Sequence, residues 1–303
     1  MESPKTKSDE KLSVYKETRK FIARAFKTVL EKALLSTERI SEVQFRDAWI
    51  EQIQKNKRLS KEGWYLPPPK GVCILFGNGK QAEANRINFK SIRPKEMWPQ
   101  DDIFLERENG LILAYASNVD LQTGIIGDFG ITLYFGSDEK IQQYLKMCYL
   151  INKEIFDRVR VGMRLKEVYA VADACVKEKG LQCEHKSITD TTAASNMGHT
   201  IPASYEQWTQ NELRLIQSSD WESAKNLISS KRKFTNPVEE LAITPGFALT
   251  IEPRPFYLNN PLLPQAFFHS VCLVHEDSSK EVVTNYREIF LIAGMDYMLE
   301  AGK

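Results

Sequence analysis

The sequence has 303 residues, of which 42% are hydrophobic and 27% charged, enough apolar material for one large folded domain. Lys and Arg total 41 against 40 Asp and Glu, so the overall charge gives no reason to expect binding to nucleic acid or to an anionic membrane. The five cysteines form no CxxC pair, and no apolar run approaches transmembrane length. We therefore expect a cytoplasmic protein with reduced thiols and no membrane partner.

The first part of the chain is predicted to be helical. Residues 1–11 are charged and polar and are interpreted as a disordered tail. Apolar residues then recur at helical spacing from 14 to 33, which predicts a long amphipathic helix. Ser41 and Gln44 have the spacing of a capping box at the start of a second helix.

Strands and helices alternate in blocks over the remainder of the chain. Helices are predicted to begin near residues 137 and 165, separated by a break at 161–163. Residues 207–240 are polar and are interpreted as a partly helical insertion, in which the basic triplet 231–233 is predicted to be a solvated loop. Short apolar runs predict strands at residues 72–76, 103–105, 111–116, 131–135, 248–251, 270–274 and 288–292. This order predicts an α+β fold with an antiparallel sheet and helices on one face.

Five segments, in order, carry a family resemblance, and one of them is the predicted helix pair joined by residues 161–163. Residues 127–136 (GDFGITLYFG) form a strand that begins with an aspartate, and residues 197–201 (MGHTI) contain a Gly-His pair. Residues 244–253 (TPGFALTIEP) place a glutamate at the end of an apolar strand, and residues 271–277 (VCLVHED) form a closing strand. Together these segments resemble the motifs of pita-bread metallopeptidases, the methionine and Xaa-Pro aminopeptidases and creatinase. The resemblance covers roughly residues 12–295 and implies a single pita-bread domain over 12–303, with a curved antiparallel sheet.

The resemblance also implies a metal site. Members of the family hold two divalent ions with Asp, Asp, His, Glu and Glu, and the ions activate a water molecule. The second aspartate corresponds to Asp128, the histidine to His199 and the first glutamate to Glu252. Ungapped alignment of the closing strand places the last glutamate at His269. The change from carboxylate to imidazole keeps a candidate ligand at that position.

The first aspartate of the family is missing. Its position falls on Ser117, next to Asn118, while Asp120 is three residues away and would face the other side of a regular strand. We therefore expect one divalent ion instead of two, bound by Asp128, His199, Glu252 and His269. Its identity stays open among Fe, Mn, Zn and Co.

Two helper histidines of the family are also missing, since no histidine precedes His185 and none lies between His199 and His269. One of the two positions falls near Glu206, which is the candidate catalytic acid or base, with a solvated loop carboxylate as the alternative. Candidates for the substrate pocket are Tyr205, Arg254 and Tyr257.

Two functions follow from the resemblance and from the missing aspartate and helper histidines. The first is a metal-dependent enzyme acting on a small peptide or amide-like substrate, by hydrolysis or, with iron, by redox chemistry. The second is a non-catalytic protein that binds a peptide or protein partner in the former substrate cleft. A metal-free enzyme of the creatinase kind is a third interpretation, and a homodimer is left open.

Overall fold

The computed structural model describes residues 7–80, 86–88, 91–183, 190, 192–193, 195–257 and 263–302. Two helices come first, α1 (Lys7–Leu35) and α2 (Glu42–Ile53). Residues 7–11, expected to belong to a disordered tail, are helical, and the helix they begin buries Leu12 and Tyr15. Residues 1–6 of that predicted tail lie outside the described residues.

The predicted capping box at the start of α2 is present. The Ser41 hydroxyl accepts from the backbone N–H of Gln44, and the Gln44 side chain accepts from the backbone N–H of Ser41. This reciprocal pair satisfies backbone donors that a helix start leaves unpaired. The apolar face of α2 buries Phe45 and Trp49 against α1, where both rings lie beside Phe26.

The first sheet is antiparallel, and its strand order is β1 (Val72–Asn78), β2 (Gly110–Ala116) and β5 (Phe129–Tyr134). Every residue of β2 and β5 is buried, which explains why both strands are apolar at nearly every position. A short hairpin, β3 (Val119–Asp120) and β4 (Ile125–Ile126), connects β2 to β5.

Two long helices and an insertion follow. Helix α3 (Glu139–Arg158) is capped by Asp138, close to the predicted start near residue 137, and α4 (Leu165–Glu178) packs beside α3. The insertion forms α5 (Gln210–Ile216) and α6 (Trp221–Ser230). Within the described residues, none of the helices is both long and apolar enough to cross a membrane.

The second sheet is also antiparallel and three-stranded, in the order β6 (Ala248–Ile251), β7 (Ser270–Val274) and β8 (Lys280–Val283). The strand predicted at 288–292 is wrong, because this segment forms the short helix α7 (Arg287–Ile292). A five-residue apolar run does not distinguish a strand from one buried helical turn, and here Ile289 and Phe290 are the residues that α7 buries.

The strand predicted at 103–105 is also absent; only Phe104 makes an isolated bridge, to Ser41. The reason is that this segment is used to hold the start of α2, where the backbone N–H of Glu42 donates to the carbonyl of Ile103 at 3.0 Å. The mixed helix and antiparallel-sheet composition confirms the predicted α+β class.

The two three-stranded sheets meet beside β5. The backbone N–H of His269 donates to the carbonyl of Gly130 at 3.1 Å, and that of Phe267 donates to the Thr132 hydroxyl at 2.9 Å. The ring of Phe267 covers Gly130 so closely that a Cβ there would lie 2.2 Å from it, so only glycine fits. This junction brings the ends of β5, β6 and β7 together.

Candidate metal centre

Four of the predicted residues meet at the junction of the sheets. Asp128 precedes β5, Glu252 follows β6, His269 precedes β7, and His199 lies in an extended segment paired with β6. The Nε2 atom of His199 lies 3.6 Å from Asp128 Oδ2 and 3.6 Å from Glu252 Oε1. The Nε2 atom of His269 lies 4.0 Å from Asp128 Oδ2 and 3.7 Å from Glu252 Oε2. We call these four residues the cluster.

Hydrogen bonds to β6 set the position of His199. Its backbone N–H donates to the Thr250 hydroxyl, and its carbonyl accepts from the Thr250 N–H, both at 2.8 Å. A Cβ at Gly198 would lie 2.2 Å from the Thr250 carbonyl, so glycine is needed for this close approach. The ring Nδ1 lies 2.9 Å from the Thr200 carbonyl, which can only accept, so Nδ1 carries the hydrogen. The lone pair of Nε2 therefore faces the centre of the cluster.

Asp128 is oriented by a tryptophan from outside the motifs. The indole N–H of Trp64 donates to Asp128 Oδ1 at 2.7 Å, and both side chains are buried. Among the described residues, Asp128 Oδ2 and His269 Nε2 have no hydrogen-bond partner, although both atoms are buried. Leaving such an atom unpaired costs about 1–3 kcal/mol, so two of them facing one gap indicate that a ligand belongs there.

The donor set fits a divalent metal ion. Asp128, His199 and His269 each offer one ligand atom, and these atoms all lie within 4.8 Å of one another. Glu252 closes the remaining side, with its side chain 13% exposed. Carboxylate oxygens and imidazole nitrogens suit Zn, Mn, Fe and Co.

Burial shifts the pKa of all four residues toward the neutral forms. Desolvation raises the pKa of Asp128 to about 7, against the lowering effect of the Trp64 hydrogen bond. Desolvation, with repulsion from Asp128, raises the pKa of Glu252 to about 7. Desolvation lowers the pKa of His199 to about 3 and holds the pKa of His269 well below its usual range. Without a cation in the cluster, carboxylate charge at this depth is therefore disfavoured near neutral pH.

The position of the missing ligand is occupied by a structural serine. Ala116 pairs with Phe129, so the antiparallel register places Ser117 opposite Asp128. The Ser117 hydroxyl donates to the Gly71 carbonyl at 3.0 Å and accepts from the Tyr65 N–H at 3.2 Å. This side chain therefore fastens the chain around residues 63–71 to the sheet.

Asp120, the other acidic residue near the missing position, is held away from the cluster. Its carboxylate pairs with the Arg58 guanidinium at 2.8 Å and accepts from the Thr123 hydroxyl, also at 2.8 Å. These contacts fasten the hairpin of β3 and β4.

A family model supports the assignment suggested by the motifs. The model of metallopeptidase family M24 matches residues 95–277, more than half of the chain and the part that contains the cluster. This chain belongs to family M24. No curated protein sequence matches it.

Solved structures of M24 peptidases confirm the pita-bread fold. Methionine aminopeptidase from Rickettsia prowazekii is 12% identical with a TM-score of 0.59, and the alignment covers 93% of this chain and 99% of that one. Prolidase from Pyrococcus furiosus is 16% identical with a TM-score of 0.58, over 92% of this chain and 64% of the other. The Xaa-Pro dipeptidase from Bacillus anthracis is 13% identical with a TM-score of 0.56, over 91% and 61%. This M24 chain thus spans about three fifths of the prolidase and dipeptidase chains.

The predicted acid or base, Glu206, has no contact with the cluster in the described part of the M24 chain. Its side chain is 50% exposed and pairs with the Lys231 ammonium group at 2.7 Å. The Tyr205 hydroxyl donates to the carbonyl of the same lysine. These contacts match the alternative interpretation of Glu206 as a solvated loop carboxylate.

The other predicted pocket residues divide into two kinds. Arg254 is buried, and its charge lowers the pKa of Glu252, so it lies within electrostatic reach of the cluster. Tyr257 packs against Tyr144, with ring centroids 5.8 Å apart. Neither arrangement tests a role in substrate binding.

The basic triplet of the insertion is not a solvated loop throughout, which corrects the prediction for 231–233. Arg232 is 5% exposed, with its guanidinium carbon 4.1 Å from the ring centroid of Trp64 and 4.8 Å from that of Phe234. Phe234 in turn bridges to His199 through the backbone. The insertion therefore brings a cation stacked between two aromatic rings to the edge of the cluster.

Arg19, on α1, is the second cation that the sequence analysis missed. It is fully buried and donates to the backbone carbonyls of Asp128 and His269. Its place at helical spacing between buried Tyr15 and Ile22 was a readable signal, because an arginine on the apolar stripe of a helix must find buried acceptors.

Proposed function

We propose that this chain is a metal-dependent M24 enzyme that acts on a small peptide or amide-like substrate. One divalent ion is bound by Asp128, His199, Glu252 and His269. The observation that carries the proposal is a pair of buried atoms without a hydrogen-bond partner, Asp128 Oδ2 and His269 Nε2, which lie 4.0 Å apart. The similarity of its fold to prolidase and methionine aminopeptidase supports a peptide or amide substrate.

The hydrogen bonds of Ser117 support a site for one ion and not two. Its hydroxyl is engaged with two backbone groups of residues 63–71 and adds no carboxylate beside Asp128. The second ion of the family therefore lacks one of its own ligands and meets an imidazole where it had a bridging glutamate.

The protein's part in the reaction is orientation and exclusion of water. The Thr200 carbonyl fixes the His199 ring so that Nε2 faces the centre, and Trp64 fixes the Asp128 carboxylate through Oδ1. When bound, a divalent ion supplies Lewis acidity and a water molecule of lowered pKa. The buried setting strengthens these electrostatic effects.

The substrate has to be small. His199 is 5% exposed and the Glu252 side chain 13%, and Arg232 and Phe234 from the insertion lie over one side of the cluster. This burial favours a dipeptide or a compact amide over an extended polypeptide as the substrate.

The experiment compares metal content and activity in matched variants. Protein purified without chelator is expected to contain one equivalent of a divalent metal, which His199→Ala removes and His275→Ala retains. His275 is a suitable control because it is a partly exposed histidine paired with Asp9 and Glu281. A screen of Xaa-Pro and Met-Xaa dipeptides, with oxygen consumption followed in parallel, then separates hydrolysis from iron-dependent redox chemistry.

The second candidate, a binding protein without catalysis, is favoured by the same loss at Ser117 and by the exposed, ion-paired state of Glu206. It predicts no turnover of any dipeptide by protein that is fully loaded with metal. Protein without any stoichiometric metal would contradict the first candidate directly.

A further inference from the structure

The guanidinium group of Arg19 lies directly behind His269. Its Nη1 atom is 3.3 Å from His269 Nδ1, the ring nitrogen that points away from the centre of the cluster. The same group donates to the backbone carbonyls of Asp128 and His269, and to that of Thr284 at 3.1 Å. Four contacts therefore hold this buried cation in a single orientation.

An arginine side chain can only donate hydrogen bonds, because it has no acceptor atom and stays protonated. A hydrogen on His269 Nδ1 would point at the N–H groups of Arg19, and the His269 carbonyl already accepts from Arg19 and from the Tyr286 hydroxyl, so Nδ1 offers its lone pair. A neutral imidazole with a free Nδ1 carries its hydrogen on Nε2. In His269, the atom that faces the cluster is thus an N–H group.

His199 shows the opposite arrangement. Its Nδ1 faces the Thr200 carbonyl, which only accepts, so the hydrogen is on Nδ1 and the Nε2 lone pair faces the cluster. One histidine therefore presents a lone pair to the centre and the other presents a hydrogen. A metal ion binds the first kind of nitrogen and is repelled by the second.

We propose that Arg19 holds His269 in the Nε2–H tautomer, so that His269 donates a hydrogen bond to the ligand in the cluster and does not bind the ion. This proposal rests on the proposed metal site and changes the expected ligand set from four residues to three. Arg19 is then a positioning residue, and His269 is the residue that contacts the substrate or a water molecule.

The acceptor for His269 is an oxygen atom held at the ion. The carboxylate oxygens of Asp128 and Glu252 lie 4.0 and 3.7 Å from His269 Nε2, beyond hydrogen-bond distance, so the N–H group is available to a further group in the gap. A peptide or amide carbonyl oxygen, or a water molecule, would accept this hydrogen bond. The N–H group would then supply the hydrogen bond that the missing helper histidines no longer provide.

The test is the tautomeric state of the histidines, measured by long-range ¹H–¹⁵N NMR on protein labelled with ¹⁵N-histidine. Only four histidines are present, so single His→Gln variants assign the signals. Metal-free protein is expected to show hydrogen on Nε2 of His269 and on Nδ1 of His199. Hydrogen on Nδ1 of His269 would overturn the proposal, and this result does not depend on whether the protein binds metal.

The second measurement is the zinc affinity of histidine variants. His269→Gln keeps an N–H donor near the position of Nε2, and is expected to change zinc affinity by less than about threefold, whereas His199→Gln weakens it by at least about tenfold. A zinc-dependent shift of His269 Nε2 equal to that of His199 Nε2 would identify His269 as a ligand and overturn the proposal. If neither histidine responds to zinc, the metal site itself fails, while the tautomer result stands separately.

Two substitutions of Arg19 test whether this residue controls the tautomer of His269. In Arg19→Lys, the lysine ammonium is also a pure donor, so the Nε2–H tautomer of His269 is expected to persist in this variant if it folds. Arg19→Met removes the donor, and both His269 tautomers are then expected to be populated. An unchanged single tautomer in folded Arg19→Met protein would show that Arg19 does not control it.

Discussion

Substitution of Trp64 is the most specific single perturbation of the site, because its indole N–H donates to Asp128. Trp64→Phe keeps an aromatic ring beside Arg232 but removes the donor that lies 2.7 Å from Asp128 Oδ1. A bond this short to a buried carboxylate belongs to the charge-assisted class. Its loss leaves Oδ1 unpaired, at a cost of about 1–3 kcal/mol. Because the ion needs the charged carboxylate, metal affinity is expected to fall by about 10–100-fold, the usual effect of removing a partner of a metal ligand.

The assay is a competitive titration with a chromophoric chelator at pH 7.5, with thermal unfolding measured in parallel. Trp221→Phe is the matched control, since the Trp221 indole also donates to one acceptor, the Gly63 carbonyl at 3.2 Å, and has no contact with Asp128. Equal metal affinity in the Trp64 and Trp221 variants would refute the reasoning. A loss of thermal stability in both, with a loss of metal affinity only for Trp64→Phe, is the expected pattern.

Three further predictions concern the same region. Burial raises the pKa of Asp128 and of Glu252 to about 7, so protons compete with the metal ion below that pH. Metal affinity is expected to fall roughly tenfold per carboxyl group between pH 7.5 and pH 6, and to be constant above pH 8. A metal affinity that does not change with pH would contradict these pKa values. Ser117→Asp is expected to lower the free energy of unfolding by about 3 kcal/mol and to leave one metal ion bound per chain. A second bound metal ion would show that a carboxylate at this position can still be a metal ligand. Arg232→Ala is expected to lower stability by about 1–2 kcal/mol through the lost stacking, with exposed Lys233→Ala as the neutral control in chemical unfolding.

The meeting of the four cluster residues could be predicted, because strands and short motifs position them. Asp128, Glu252 and His269 each adjoin a strand whose apolar run is plain in the sequence, and the structure brings all three together with His199. The resemblance of the motifs to those of the family provided this prediction, since each motif lies beside a strand that the sequence makes recognisable.

The partners of the ligands could not be predicted in the same way. Trp64 lies in an irregular segment before β1, and its contact with Asp128 depends on how residues 63–71 fold back onto the sheet. Arg232 lies in a polar segment that resembles a solvated loop in sequence, and the rings of Trp64 and Phe234 help to make its burial favourable. Such contacts join distant segments and have no local pattern.

Arg19 is an intermediate case. Its helical spacing from Tyr15 and Ile22 was an unused sign that it lies on the buried face of α1, but its acceptors are backbone carbonyls of Asp128 and His269, more than 100 residues away in sequence. The wrong strand at 288–292 has a related cause, because one buried turn of helix and a short strand carry the same number of apolar residues.

Anomalous diffraction from crystals of protein purified without chelator tests the central claim most directly. We expect one anomalous peak, within bonding distance of Asp128, His199 and Glu252, and no peak beside Ser117. Two peaks bridged by the carboxylates would contradict the single-ion site. An ordered water molecule without anomalous signal, in crystals grown with excess zinc or manganese, would contradict the metal centre altogether.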